Sequence, residues 1–175
     1  MSDFGRFAAY LKFMGIKLDA DSFDSRIRMQ KLAYLLGILS GKEFTKDFSM
    51  YIRGPYSKEL ADYYYGNKHQ SREKLPKIDS AFEKELDRVR FVKDLTTKQL
   101  EIMATLQRLR EVGNDEDDAI KKILVMKPYL NIEEVMNGLN NLKGFMLKET
   151  DRKRILEEMK GEYALYENAV GDGII

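Results

Sequence analysis

The 175-residue chain contains no cysteine, which excludes disulfides, thiolate nucleophiles and cysteine-ligated zinc or iron–sulfur centres. With a single histidine, His69, a histidine-rich metal site is excluded too, and neither a metal nor another cofactor is expected. Charge of one sign is not in excess. Thirty lysines and arginines stand against 29 acidic residues, so no global field recruits nucleic acid or an anionic membrane, and any such binding must be local. Long apolar runs are also missing: Leu32–Leu39, the longest, has eight residues, against the roughly 18 of a membrane span. Met1-Ser2-Asp3-Phe4-Gly5-Arg6 is not a basic region leading into an apolar stretch. A cytoplasmic protein without a membrane partner is the expectation. A Walker-type loop and a Gly-x-Gly-x-x-Gly fingerprint are absent as well, which removes the commonest nucleotide sites.

What remains is globular and densely charged, with 43% hydrophobic and 34% charged residues. The fold class expected is mainly α, a compact multi-helix domain with a short β-hairpin or small strands and a C-terminal half that resembles a winged helix. Phe4, Phe7, Leu11 and Met14 form one helical stripe ending at Gly15. The helix at Arg26–Ser40 is apolar on nearly every side, so partners should pack on both flanks. Along it Gln30, Ala33 and Gly37 form a line of small side chains that another backbone can approach. Phe48, Met50 and Ile52 alternate with polar neighbours as a strand with one buried face, and Gly54-Pro55 breaks it. Ser57 then caps a short helix bearing Leu60 and Tyr64. Residues 66–79 are polar and contain Gly66 and Pro76, which places a boundary between an N-terminal lobe, 1–75, and a C-terminal lobe, 80–175, within one integrated domain.

In the C-terminal half, Thr96 with Gln99 and Asn131 with Glu134 write capping boxes, and Leu95 with Leu100 a hydrophobic staple. Asp115–Asp118 sits in the first turn of a helix, where acids complement the dipole. These charges lack the spaced oxygens and glycine of a calcium loop. Ile132, Val135, Met136, Leu139 and Leu142 face inward on the next helix, Gly144 ends it, and Phe145-Met146-Leu147 forms a short strand. Ile155, Met159, Tyr163 and Tyr166 mark a last helix.

Arg28-Met29-Gln30-Lys31-Leu32, an apolar helix, then Phe48 and Tyr51-Ile52-Arg53-Gly54-Pro55-Tyr56-Ser57 form an ordered pair of motifs over about residues 24–65. This pattern resembles the YwgA-like family, related to the Panacea or SocA-type antitoxin domains. The resemblance implies a helical domain without catalytic activity that binds another protein, as an antitoxin or an adaptor for proteolysis. It points to Arg28, Gln30, Lys31, Tyr34, Arg53, Gly54, Pro55, Tyr56 and Ser57 as motif or partner-binding residues. A protein partner is therefore expected, and a dimer is compatible with the pattern.

The plainer reading of Gly54–Ser57 is a turn with a helix cap. The functional one is that free helix amides beside Arg53 hold a carboxylate or phosphate, with a contact to the Gln30 face, internal or through a partner. Nucleic acid is the alternative partner. Tyr51, Arg53, Tyr56, Lys58, Tyr63, Tyr64, Tyr65, Lys68 and Arg72 interleave rings and cations, and Ile132–Leu142 can be drawn as a reading helix presenting Asn137, Asn140 and Asn141. Yet residues 1–75 are only +4 and residues 97–149 are −1 by side-chain count. Inward-packed tyrosines and a helical half without DNA binding are the readings preferred. No catalytic constellation is legible. His69 has no patterned acid or serine partner, and the acid pairs sit where helix caps want them.

Overall fold

The structure is a computed structural model describing residues 3–17, 20–42, 44–45, 47–66, 75–148 and 150–160. Helix α1 (Phe4–Met14) is capped by Asp3, whose carboxylate accepts the Arg6 amide at 3.1 Å, and is stopped by Gly15 in the left-handed conformation. Its predicted stripe is buried throughout. The ring of Phe7 lies 5.4 Å from Phe44, and Tyr10 lies 4.8 Å from Phe82 of a later helix. Helix α2 (Phe23–Ser40), capped by Ser22, buries every residue from Met29 to Leu36. A helix buried on all sides is the core of its domain.

The extended segment after α2 is a hairpin of β1 (Ser49–Tyr51) and β2 (Gly54–Tyr56), paired Ser49 with Tyr56, Met50 with Pro55 and Tyr51 with Gly54. This corrects two expectations. Gly54-Pro55 does not end the strand but begins its partner, because Gly54, at φ +81°, takes the positive dihedral that the chain needs to turn back. Ile52 is not on a buried face either: it sits in the turn, 85% exposed. Helix α3 (Lys58–Gly66) follows directly. His69, Lys68 and Arg72 lie outside the described residues.

Helix α4 (Ser80–Arg88) is capped by Asp79 and packs on α1. A 3-10 turn at Arg90–Lys93 leads to α5 (Thr97–Glu111), where the Thr96–Gln99 box forms in both directions. Residues Leu100–Leu106 are all buried, making α5 a second core helix packed along α2. Helix α6 (Glu116–Met126), capped by Asp115, packs on α5. Helix α7 (Ile132–Met146) opens on the Asn131–Glu134 box. Gly138 of α7 lies against Ile102: a Cβ there would stand 2.3 Å from Ile102 Cγ2.

Helix α7 runs through Gly144 and takes in Phe145 and Met146, so the short strand expected there is absent, and with it the wing of a winged helix among the described residues. Arg88 explains the continuation. Its guanidinium donates to the Gly144 and Phe145 carbonyls at 3.0 Å each, satisfying the helix end, while Phe145 is fully buried. Ile132 and Met136, expected inward, are exposed on α7, whereas Val135, Leu139 and Leu142 are buried.

The chain divides into compact units at Phe145/Met146. In the first, the α2–α5 contact joins helices from either side of residues 67–79. In the second, residues 150–160 are helical with Ile155 and Met159 exposed; Tyr163 and Tyr166 lie outside the described residues. Among the described residues, no helix is long and apolar enough to cross a membrane.

Candidate functional site

The hairpin lies across α2 and α5, and buried polar side chains of α2 and of Lys127, at the end of α6, hold the main chain of residues 52–57. Gln30, facing out of α2, donates Nε2 to the Ser57 carbonyl at 2.9 Å and accepts the Ser57 amide on Oε1 at 2.8 Å. A primary amide reproduces the donor and acceptor of a neighbouring strand: it satisfies the Ser57 amide and gives the Ser57 carbonyl, which also accepts the Ala61 amide at 3.2 Å, a second donor. One residue on, Lys31 donates Nζ to the Pro55 carbonyl at 2.6 Å with only 1% of the residue exposed. Burial pushes its amine down to about 7, against the opposing pull of the Glu101 carboxylate, with Lys127 and Arg53 adding to the lowering.

The hairpin's other end is held by a second buried amine. Lys127, at the end of α6, donates Nζ to the Ile52 carbonyl at 2.6 Å and to Glu101 Oε1 at 2.6 Å, with side chains 1% and 3% exposed. Tyr129 donates its hydroxyl to the same oxygen at 2.6 Å, and Arg53 reaches Oε2 at 3.5 Å. Burial works to raise the Glu101 carboxyl, but the bonds from Lys127 and Tyr129 and the charges of Lys127 and Arg53 outweigh it and hold the group below its ordinary value. The Tyr129 phenol is pushed up to about 12 by burial and by that hydrogen bond. Between these anchors Gly54 touches α5: a Cβ would lie 2.5 Å from Thr105 Oγ1, which donates to the Glu101 carbonyl at 2.7 Å.

Ser57 caps α3 as its sequence position predicts, with Oγ accepting the Leu60 amide at 2.9 Å. The plainer reading of this helix start, a turn with a cap, is the one that forms, and the anion site weighed as its functional alternative does not. The Glu59 amide is taken by Asp47 Oδ2 at 3.0 Å, and Ser57 Oγ donates to Thr45 Oγ1 at 3.1 Å, so the protein's own oxygens fill the position. Burial acts against the charge of Asp47, but hydrogen bonds from Ser57, Thr45 and the Glu59 amide hold its carboxyl below the usual range.

Two of the predicted site residues stand apart. Arg28 ties down the turn before α5, donating to the carbonyls of Val92, Lys93 and Leu95 at 3.0, 2.6 and 2.5 Å. Tyr34 donates to Glu111 Oε2 at 2.7 Å beside a separate cavity of about 220 Å³. The others, Gln30, Lys31, Arg53, Gly54, Pro55, Tyr56 and Ser57, are brought together around the hairpin.

Beside the hairpin opens a groove of about 550 Å³, with Gln30, Lys31 and Gly54 among its lining residues. Phe23, Tyr51, Ile52 and Tyr65 border it and are each more than half exposed. Arg26 places its guanidinium 5.9 Å from the Phe23 ring centre and 5.8 Å from that of Tyr65. The preference for inward tyrosines holds for Tyr64, which is buried, and not for Tyr51 or Tyr65. Tyr63 stacks on Phe4, and Lys58 pairs with Asp62 at 2.7 Å.

Sequence reasoning misses Glu101, Thr105, Lys127 and Tyr129. The signal for the first two is a polar pair four apart in the otherwise apolar stretch Leu100–Leu106, which is a buried face with a partner to satisfy. Chemically the cluster is a clamp. Glu101 is the one buried carboxylate among the described residues, and its oxygens are taken by Lys127, Tyr129 and Arg53. The Ser57 hydroxyl is engaged by Thr45 and the helix cap. Among the described residues no group of three or more acidic or histidine side chains is placed to hold a metal ion. No family model, curated protein or solved structure matches the chain.

Proposed function

We propose that this chain is a non-enzymatic, cytoplasmic protein-interaction module of the YwgA-like kind, with the groove beside the Gly54–Ser57 hairpin as its docking surface. The observation that supports this reading is the combination of exposed rings at Phe23, Tyr51 and Tyr65 with a backbone that buried side chains hold rigid. Exposed aromatics on a preorganised frame give contact area at little entropic cost, which is the physics of a binding hot spot. An antitoxin or a proteolysis adaptor is the form such a module takes in the family that the motifs resemble.

The test is site-specific photocrosslinking in the native host, with the crosslinker placed at Tyr51, at Tyr65 and at Val125, which is exposed elsewhere on the surface. One protein captured from the first two positions and not from the third, whose purified form loses affinity for Tyr65→Ala, is the expected result. Equal capture at all three refutes the groove as a docking surface. A nucleic-acid regulator is the second reading, favoured by the same mixture of rings and cations. Salt-dependent binding of DNA or RNA at low ionic strength would establish it in place of the first.

A further inference from the structure

The lining of the groove is one-sided in charge. Arg26, Lys31 and Arg53 contribute to it, and no aspartate or glutamate does, among the described residues. In a chain with 29 acids and 30 bases, a cleft lined by two guanidiniums, a buried amine and no acid is a local field that selects the sign of its occupant.

We propose that the groove receives a short acidic peptide segment, an Asp- or Glu-bearing stretch around an apolar anchor, with its carboxylates on Arg53 and Arg26 and its anchor on the rings of Phe23, Tyr51 and Tyr65. This rests on the protein-interaction reading and specifies the partner. The three basic groups do not play equal parts. Lys31 is buried, and its amine, pushed down to about 7 and bonded to the Pro55 carbonyl, carries only part of a charge at neutral pH, so the two arginines supply the contacts. Arg53 is half-exposed in the turn and meets Glu101 through one nitrogen at 3.5 Å, while a guanidinium offers five donors in a planar fork that matches a carboxylate. Arg26 is placed by its bonds to the Ala20 and Asp21 carbonyls at 3.0 and 3.2 Å, at the groove wall between two rings. Ile52, largely in solvent at the hairpin tip, extends the apolar border.

Ring geometry favours a peptide over a nucleic-acid strand. Successive bases need open, parallel aromatic faces. Here Tyr51 and Tyr56 meet at 64° and Tyr64 and Tyr65 at 59°, while Arg26 sits near Phe23 and Tyr65. Tyr51 and Tyr56 therefore pack edge to face, Tyr64 and Tyr65 are tilted, and Arg26 sits by Phe23 and Tyr65, an arrangement that seats a branched or aromatic side chain.

The experiment is selection of a random heptapeptide display library on the full-length protein, followed by fluorescence polarisation of the enriched peptides made synthetically. The expected outcome is enrichment of sequences with two or more acidic residues flanking an apolar one. Their affinity falls at least tenfold in Arg53→Gln and falls again with added salt, while circular dichroism shows the variant folded at the assay temperature. Enrichment of neutral or basic sequences whose binding depends on Tyr65 overturns the acidic specificity and leaves the docking surface standing. Absence of any enrichment that Tyr65→Ala abolishes overturns both. Tighter binding of a fluorescein-labelled oligothymidylate than of any acidic peptide, or dimerisation of the protein alone that Arg53→Gln abolishes, assigns the groove to another occupant and refutes the proposal.

Discussion

Replacing Gly54 by alanine tests whether the hairpin is pressed on α5 as tightly as its geometry indicates. Two costs are separable. Gly54 has φ +81°, where an L-residue with a Cβ loses about 1–2 kcal/mol. The added methyl would also stand 2.5 Å from Thr105 Oγ1 and 3.7 Å from the Glu101 carbonyl. Relief requires Thr105 to rotate and give up its 2.7 Å bond to that carbonyl, at about 1 kcal/mol, or the hairpin to lift and stretch the bonds from Lys31 and Lys127. The sum is about 2–4 kcal/mol. Urea unfolding should show it as a fall of about 1–2 M in midpoint with an unchanged slope. In a Thr105→Ala background the steric part disappears, so the same substitution should cost about 1–2 kcal/mol less than in wild type. A loss below about 0.5 kcal/mol, or the same loss in both backgrounds, would refute the close contact between Gly54 and Thr105.

Gln30→Leu strands the Ser57 amide and takes one of the two donors from the Ser57 carbonyl, which keeps the Ala61 amide, and should destabilise by about 1–3 kcal/mol in chemical denaturation. Gln30→Glu, by contrast, mimics the amide when protonated and repels the Ser57 carbonyl when ionised, so its deficit should widen between pH 5 and pH 8. Glu101→Gln leaves the Lys127 ammonium buried without its counter-charge and should cost about 3–5 kcal/mol. Adding Lys127→Met should recover much of that loss in a double-mutant cycle, and strict additivity would argue against the pair. Lys31 predicts a slope with a definite sign. Its amine is held at about 7 in the fold against about 10.4 in the unfolded chain, so above pH 7 the unfolded chain binds more protons and stability rises with pH. The burial cost is complete below pH 7 and relieved on the way to the unfolded value, which gives about 2 kcal/mol between pH 7 and 8.5. Lys31→Met should flatten that window, and an unchanged profile would contradict the assignment.

Most of the helices were legible because their signals are local. The stripe of α1, the all-round apolar face of α2, the Thr96–Gln99 and Asn131–Glu134 boxes and the Ser57 cap each need only residues within a few positions, and each forms as written. Caps and stripes depend on backbone groups and periodicities that lie within one helix. Even the approach of a second backbone to Gln30 was readable, since a polar side chain on a line of small ones within an apolar helix needs a partner.

What the tertiary structure decided is everything that depends on residues far apart in the chain. Whether Gly54-Pro55 breaks a strand or starts one is settled by buried lysines at positions 31 and 127 that hold the carbonyls on either side of Gly54. Gly144 could not reveal that helix α7 continues, because the donor that satisfies its end is Arg88, 56 residues earlier. At the start of α3, where the functional alternative placed an anion, the Glu59 amide is already taken by Asp47. The alternating rings and cations of residues 51–65 specified composition without orientation; only packing against α2 turned Tyr64 inward and left Tyr51 and Tyr65 facing solvent. A charge or a ring in sequence has no direction until a neighbouring surface gives it one.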